Sequence, residues 1–225
     1  MSRMWKFALG FLSLAAIVLS LGCGSGNQAK LRVLHASPDE PALNVLVDGK
    51  SVSGNLAYGS ATGYLSVSPG SRVLQLEAVG STSDVVDQTL SLPAGTDTTV
   101  IAANFAAEIT PLILNDSTTA PTSGDFQLRI VNAAPAIGPV DVYVVPPGTD
   151  LTTVSPKVPN LAFEANSDYQ NIAPGNYEVQ FTPPGSIFVL LDAGPISFVA
   201  GQNRTIVALD NLGGGFTSVT LNDLN

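Results

Sequence analysis

The sequence predicts an all-β protein of two tandem immunoglobulin-like antiparallel β-sandwich domains. An internal repeat and a period-two alternation of apolar residues, in short segments bounded by Gly and Pro, carry this prediction. Beyond the N-terminal segment, no ten-residue stretch combines helical periodicity with good helix formers. Roughly seven short strands per hundred residues are typical of a sandwich, and a small β-barrel is the alternative.

The repeat consists of segment pairs that match in order along the chain. They are LRVLHASP (31–38) with LRIVNAAP (128–135), NLAYGSATGY (55–64) with NLAFEANSDY (160–169), AGTDTTVIA (94–102) with AGQNRTIVA (200–208), and LILND (112–116) with VTLND (219–223). The offset grows from 97 to 105 residues, so residues 146–159 form an insertion that we expect in a surface loop. We therefore predict domains at 31–116 and 126–225, joined by a linker at 117–125 that is rich in Ser, Thr, Pro and Gly.

Alternation predicts which side chains of a strand point inward. Leu43, Val45 and Val47 share one face, and a turn follows at Asp48 and Gly49. In the second copy Val140 and its alternate neighbours share the inner face, which places Tyr143 on the outer, polar face. An exposed tyrosine is suited to stacking on a sugar or a peptide, so Tyr143 is a candidate ligand contact.

The first 22 residues predict a signal peptide. Two cations, Arg3 and Lys6, precede an uncharged run of 15 residues (7–21), which is shorter than the ~20 residues of a spanning helix. A retained anchor helix is the alternative. LSLGC (19–23) resembles the lipobox of bacterial lipoproteins, and the resemblance implies that Cys23, the only cysteine, is lipidated and anchors the chain to a membrane. It also implies a location in the bacterial cell envelope. Gly24 in place of Asp favours the outer membrane or cell surface, and residues 24–30 form a tether.

The charge of the chain excludes nucleic acid as a partner. The net charge is −9, and it becomes −11 once Arg3 and Lys6 are removed with the signal peptide. Such a surface repels phosphate backbones.

The residues that most catalytic and metal sites need are scarce. The chain has one histidine, His35, and no cysteine besides Cys23, so zinc and copper sites lack ligands, and no EF-hand spacing is present. Neither G-x-S-x-G nor a P-loop occurs. We therefore expect no metal, no cofactor and no enzymatic activity. Asp39 and Glu40 follow His35 in a loop, and Asp48 lies in the next turn; solvated carboxylates are the default interpretation of these residues and a calcium site is the alternative.

His35 itself has a simple structural interpretation. Asn132 stands at the equivalent place in the second copy, and Asn shares with His the ability to hydrogen-bond backbone but not the ability to act as a base. We expect both side chains to fix the loop that follows their strand. His35 remains a candidate ligand contact beside Asp39, Glu40 and Tyr143.

Three segments together, HASPDEPALNVLVDG, NLAYGSATGYLSVSPG and LPAGTDTTVIA, resemble the bacterial family called domain of unknown function 4397. The resemblance covers residues 31–116 closely and 128–223 more loosely, where Asn132 replaces the histidine of the motif. It implies a secreted or envelope location and a β-sandwich, and it implies no activity.

These observations predict a non-catalytic cell-envelope lipoprotein that acts as a binding or scaffolding module, with a glycan or an envelope protein as ligand. Loops 37–42 and 134–139 and the insertion 146–159 are the expected contact elements. One alternative is an extracytoplasmic hydrolase of envelope glycan or ester, using two carboxylates or His35 with Ser37. The other is a purely structural spacer.

Overall fold

The computed structural model describes residues 27–224, which form 17 strands and two short 3₁₀ turns. The predicted signal peptide (1–22) and Cys23 lie outside the described residues. The all-β fold class is confirmed. Among the described residues, no helix is both long and apolar enough to cross a membrane.

Eight strands precede the predicted linker. They are β1 (Ala29–His35), β2 (Leu43–Val47), β3 (Lys50–Leu56), β4 (Leu65–Val67), β5 (Gly70–Ala78), β6 (Asp84–Leu92), β7 (Asp97–Ala103) and β8 (Thr110–Asp116). They form two sheets in the orders β4-β1-β7-β8 and β3-β2-β5-β6. The alternation predicted for β2 is confirmed, because Leu43, Val45 and Val47 are buried in the core between these sheets.

Nine strands follow the predicted linker. They are β9 (Phe126–Asn132), β10 (Val140–Val145), β11 (Val158–Leu161), β12 (Gln170–Ile172), β13 (Gly175–Thr182), β14 (Leu191–Asp192), β15 (Ile196–Phe198), β16 (Asn203–Asp210) and β17 (Phe216–Leu224). Their sheets have the orders β12-β9-β16-β17 and β11-β10-β13-β14, with β15 also paired to β13. The two sheet pairs are called the first sandwich (β1–β8) and the second sandwich (β9–β17). The domain boundaries drawn from the sequence stay predictions.

One sheet of each sandwich is mixed rather than purely antiparallel. β1 pairs with β7 in parallel, and β9 pairs with β16 in the same way. A parallel pair needs a long crossover connection, and the chain between β1 and β7 supplies it by passing through the opposite sheet of the sandwich. The remaining strand pairs in the described chain are antiparallel, as predicted.

The mixed sheets of the two sandwiches also pack against each other. All seven residues of β7 are buried, because Val100 and Ala102 face the first sandwich's own core while Ile101 and Ala103 face the second sandwich. β16 contributes Val207 and Leu209 to the same shared cluster. This double burial explains why each strand contains an unbroken apolar run, residues 100–103 in β7 and 206–209 in β16.

The first strands of the two sandwiches, β1 and β9, end at the same end of the molecule. Tyr58, which follows β3 near the end of β1, donates a hydrogen bond to the carbonyl of Asp210 at the end of β16. Thr110 pairs with Ala103, the last residue of β7, and its hydroxyl donates a hydrogen bond to the Glu164 carboxylate. The backbone N–H of Glu164 in turn donates to the carbonyl of Asn132 at the end of β9. The ends of β1 and β9 therefore lie at one end of the molecule, called the loop end. Ala29, where β1 starts, lies at the opposite tether end.

Candidate functional site

His35 is buried and fixes the loop that follows β1. Its Nε2 lies 3.0 Å from the carbonyl oxygen of Pro41, and its Nδ1 accepts from the backbone N–H of Ser37 at 3.3 Å. The ring is therefore neutral, with the proton on Nε2. Burial lowers the pKa of His35, and the backbone hydrogen bonds oppose that shift only in part.

Asn132 does the same for the second sandwich. Its side-chain amide donates to the carbonyl of Gly138 at 2.8 Å and its Oδ1 accepts from the N–H of Ala134 at 3.3 Å. Partners lie two and six residues after His35 and after Asn132 alike, so both side chains fix their loops as predicted. The hydroxyl of Ser37 is buried and makes no hydrogen bond within the described part of the chain, so it is not held against His35.

The two acidic residues of this loop have different surroundings. Asp39 is exposed, and its Oδ1 accepts from the N–H of Ala106 at 2.7 Å, which ties the loop to the 3₁₀ turn Ala106–Glu108. Glu40 is half-buried, and burial, with a smaller contribution from the Asp39 charge, raises the pKa of its carboxyl. Asp39 is therefore used in a hydrogen bond inside the fold, whereas the Glu40 carboxylate makes no side-chain hydrogen bond within the described residues.

The prediction that Tyr143 is exposed is wrong. Its side chain is only 5% exposed and packs with Val145 and Leu151. Leu151 comes from the insertion 146–159, which forms the 3₁₀ turn Leu151–Thr153, capped by the Asp150 side chain, and covers the outer face of β10. The insertion follows β10 at the tether end, so it does not share a surface with loops 37–42 and 134–139.

Four charged side chains meet at the centre of the interface between the sandwiches. Arg32 pairs with Asp223 of the second sandwich and lies 3.5 Å from Asp116, and its Nη1 donates to the carbonyl of Asn222 at 2.9 Å. The side chains of Arg32, Asp116 and Asp223 are at most 5% exposed. The guanidinium of Arg32 also lies 4.5 Å from the centre of the Tyr64 ring. Such burial is tolerated only because every charge is paired.

The arginine of the second sandwich makes the equivalent contacts with the first. Arg129 pairs with Asp116 of the first sandwich, donates to the carbonyl of Asn115 at 3.1 Å, and stacks 4.6 Å from the Tyr169 ring centre. Tyr64 donates to Asp116 at 2.7 Å and Tyr169 to Asp223 at 2.8 Å. Burial raises the pKa of both phenols, so they remain donors. Reciprocal contacts of this kind relate the sandwiches by a pseudo-two-fold axis.

A groove opens at the loop end on one side of this axis, at the seam between Tyr58 of the first sandwich and β17 of the second. It has a volume of about 360 Å³, within the range of small-molecule sites. Its lining consists of Tyr58, Gly59, Leu209, Asn211, Leu212, Thr217, Ser218 and Val219. Within the described residues no charged side chain lines it. The Tyr58 hydroxyl donates to the Asp210 carbonyl at 2.6 Å, which fixes the ring, and burial raises the pKa of Tyr58 to about 12.

The equivalent seam on the other side is bridged. Glu164 occupies the position of Gly59, and its carboxylate accepts from the hydroxyl of Thr110, the counterpart of Thr217. Glu164 has the left-handed φ of +60° and Gly59 has +69°, so the two backbones match. The absence of a side chain at Gly59 therefore leaves the groove open.

Sequence reasoning missed the groove and the buried charges. The repeat alignment contained a signal for the groove, since the pair Gly59 and Glu164 is its sharpest change in side-chain size and charge between 55–64 and 160–169. The charged network had a weaker signal, an arginine at the same place in both first strands. Among residues 27–224, no group of three or more His, Cys, Asp or Glu side chains is placed to hold a metal ion.

Comparisons with known proteins identify the family. Residues 29–143 match the family described as domain of unknown function DUF4397, and the chain belongs to this family. No curated protein matches the chain. Among solved structures, the chain is similar to CBMbc (family CBM26) from Eubacterium rectale Amy13K, determined in complex with maltoheptaose. The identity is 12%, the similarity covers 84% of this chain and 96% of that one, and the TM-score of 0.27 is too low to carry that ligand over.

Proposed function

We propose that this member of the DUF4397 family is a non-catalytic, lipid-anchored module of the bacterial cell envelope that binds a ligand at its loop end. The carrying observation is the polarity of the fold. β1 starts at the tether end, six residues after Cys23, whereas the groove and loops 37–42 and 134–139 lie at the opposite end. A lipid on Cys23 would hold the tether end at the membrane and leave the loop end facing outward.

The interface between the sandwiches supports a binding role. An apolar cluster from both sandwiches surrounds the buried pairs of Arg32 and Arg129 with Asp116 and Asp223. Such packing holds the two walls of the groove, which belong to different sandwiches, in one arrangement. A site preorganised in this way loses less conformational entropy when a ligand binds.

The two alternatives have less support from the geometry. A hydrolase using His35 and Ser37 would need both side chains accessible, but both are fully buried and the ring nitrogens of His35 face backbone groups. A spacer needs no concave site, and the groove between the sandwiches favours binding over that role.

Lipid attachment is tested by palmitate labelling of cells that express the wild-type chain or Cys23→Ala. We expect the label in the wild type and its loss in the variant, because Cys23 is the only cysteine. An unlabelled wild type would overturn the lipoprotein proposal. Protease treatment of intact cells then distinguishes display at the cell surface, where the protein is cleaved, from an inward-facing leaflet, where it is protected.

Orientation is tested with cysteines added to the otherwise cysteine-free body. Leu212 at the loop end is 68% exposed, and Val154 in the insertion at the tether end is 38% exposed. The labelling rate of each cysteine is measured with a bulky maleimide that cannot cross membranes, on cells and on detergent-solubilised protein. We expect the ratio of the Leu212→Cys rate to the Val154→Cys rate to be higher on cells than in detergent. Equal ratios in both preparations would contradict the outward-facing loop end.

A further inference from the structure

We infer that the groove at the seam of Tyr58 and β17 is the ligand site and that its ligand is a neutral saccharide. The inference rests on the proposed function, since it names the site and the ligand class of the binding module. Its first support is the difference between the two seams. The fold offers the same backbone twice, and Glu164 bridges one copy to Thr110 whereas Gly59 leaves the other open.

Gly59 is not required by crowding or by backbone shape alone. A Cβ at this position would meet one atom, Leu209 Cδ1, at the ordinary contact distance of 3.9 Å. The left-handed backbone at the equivalent position carries a glutamate, so a side chain is tolerated there. Glycine therefore supplies two features at this position, relief of a left-handed backbone that strains any side chain and the space of the groove.

The lining has the chemistry of a sugar site. Tyr58, which is half-buried, and Leu212, which is 68% exposed, provide apolar surface, which suits the C–H faces of a pyranose ring. Thr217 adds a hydroxyl, and Asn211 adds the NH2 of its amide, whose Oδ1 accepts from the N–H of Gly213 at 3.1 Å; both groups can exchange hydrogen bonds with sugar hydroxyls. Within the described residues, the Thr217 hydroxyl makes no hydrogen bond inside the protein, so it is available to a ligand.

The charge distribution favours an uncharged ligand. Among the described residues no Lys or Arg lines the groove, and the acidic body repels phosphates, carboxylates and sulfates. A cation would need carboxylates in the lining, and the nearby Asp210 accepts instead from the N–H of Ala136 at 3.3 Å. A neutral, hydroxylated molecule is the class that satisfies the amide and hydroxyl groups without an ionic partner.

The decisive variant is Gly59→Glu, which copies the bridged seam into the open one. Isothermal titration calorimetry with cellobiose, chitobiose and maltotriose should detect binding of at least one of them to the wild-type body, with a Kd in the micromolar to millimolar range that exposed sugar sites of few contacts allow. Gly59→Glu should weaken that binding at least about tenfold, which corresponds to about 1.4 kcal/mol.

Two matched variants separate groove filling from other effects. Gly63→Glu adds the same charge in the same connection between β3 and β4, where an added Cβ would meet no atom within 4 Å, and should bind within about threefold of the wild type. Gly59→Ala fills little of the groove and should behave likewise. Thermal melting confirms that each variant is folded. When the bound sugar is titrated into the wild-type protein, NMR amide chemical shifts should change at Gly59 and at residues 211–219.

The outcomes are distinct. Loss of sugar binding in Gly59→Glu alone supports the inference. No binding of any of the three sugars, or equal binding by the wild type and Gly59→Glu, overturns it, and shifts confined to other residues would do the same. Each of these results leaves the lipidation and orientation experiments unaffected, so the binding-module proposal can stand when the saccharide site fails.

Discussion

The two seams between the sandwiches lie at equivalent positions, yet one is bridged and the other is open. At one, the Glu164 carboxylate accepts from the hydroxyl of Thr110 in β8. At the other, Tyr58 and Gly59 face β17, the tyrosine hydroxyl reaches the Asp210 carbonyl, and a groove remains. Within the described residues each seam is crossed by one side-chain hydrogen bond, from a different position in each sandwich. Two equivalent seams can therefore share an interface while one of them is bridged and the other keeps a groove.

The centre of the interface, unlike its seams, is the same from both sides. Each aspartate accepts from a tyrosine and a threonine of its own sandwich and from an arginine of the opposite one. The symmetric centre is thus the part that holds the sandwiches together, and the asymmetric seams are the part left free to differ. The predictions below test this division from the centre outward.

The largest effect is expected from Asp223→Asn at the centre. It leaves Arg32 and Arg129 sharing the charge of Asp116, and breaking a buried pair by removing one partner costs about 3–5 kcal/mol of unfolding free energy. Urea denaturation measures the loss. Asp116→Asn should cost a similar amount, and a much smaller loss in either variant would show that the two halves of the network are not equivalent.

The control for this effect is Lys30→Ala. Lys30 pairs with Asp97 at 3.3 Å, but its side chain is 51% exposed, so the loss should be only about 0–1 kcal/mol.

A smaller loss is expected from Tyr58→Phe, which copies Phe163 of the bridged seam. It removes the bond to the Asp210 carbonyl and should cost about 0.5–1.5 kcal/mol in the same assay. Tyr177→Phe is the matched control, since its hydroxyl donates to the Ala173 carbonyl at 2.9 Å at an exposed position, and it should cost less. Equal losses would indicate that the Tyr58 hydroxyl does not hold the open seam.

A pH-dependent effect is expected from His35→Asn, which copies Asn132. Burial holds the pKa of His35 below its ordinary value of 6.5, so the unfolded chain takes up a proton first as the pH falls. His35 therefore lowers the stability of the wild type as the pH falls through 6.5, by at most about 1.4 kcal/mol per pH unit, and has no such effect above it. Unfolding free energies at pH 8 and pH 5 should differ less in the variant. An unchanged difference would contradict the neutral, buried ring.

The smallest effect is expected from Glu164→Gly, which copies Gly59. The variant loses one exposed hydrogen bond to Thr110 but relieves the left-handed backbone of a non-glycine residue, and the two changes oppose each other. The net change in unfolding free energy should lie within about 0.5 kcal/mol. A loss comparable to that of Asp223→Asn would mean that the bridge from Glu164 to Thr110 stabilises the fold. The difference between Gly59 and Glu164 would then concern stability as well as the groove.

Much of the fold was predictable because its signals are local. The repeat, the turns and the inward faces of β2 and β10 follow from patterns within a few residues, and so does the fixing of a loop by His35 or Asn132 through partners two and six residues away. Tyr143 was misjudged for the opposite reason. Its exposure depends on Leu151, which reaches it only because the insertion folds back over β10.

The sequence by itself determined two all-β repeats, the side chains of each inner core, and an acidic body beside a single cysteine, because periodicity, turn chemistry and charge are properties of neighbouring residues. The tertiary structure decided how the outer faces are used. Arg32 and Asp223 lie 191 residues apart, and the groove takes its walls from two sandwiches. Such contacts depend on how one folded surface packs against another, and alternation within a strand carries no information about that packing.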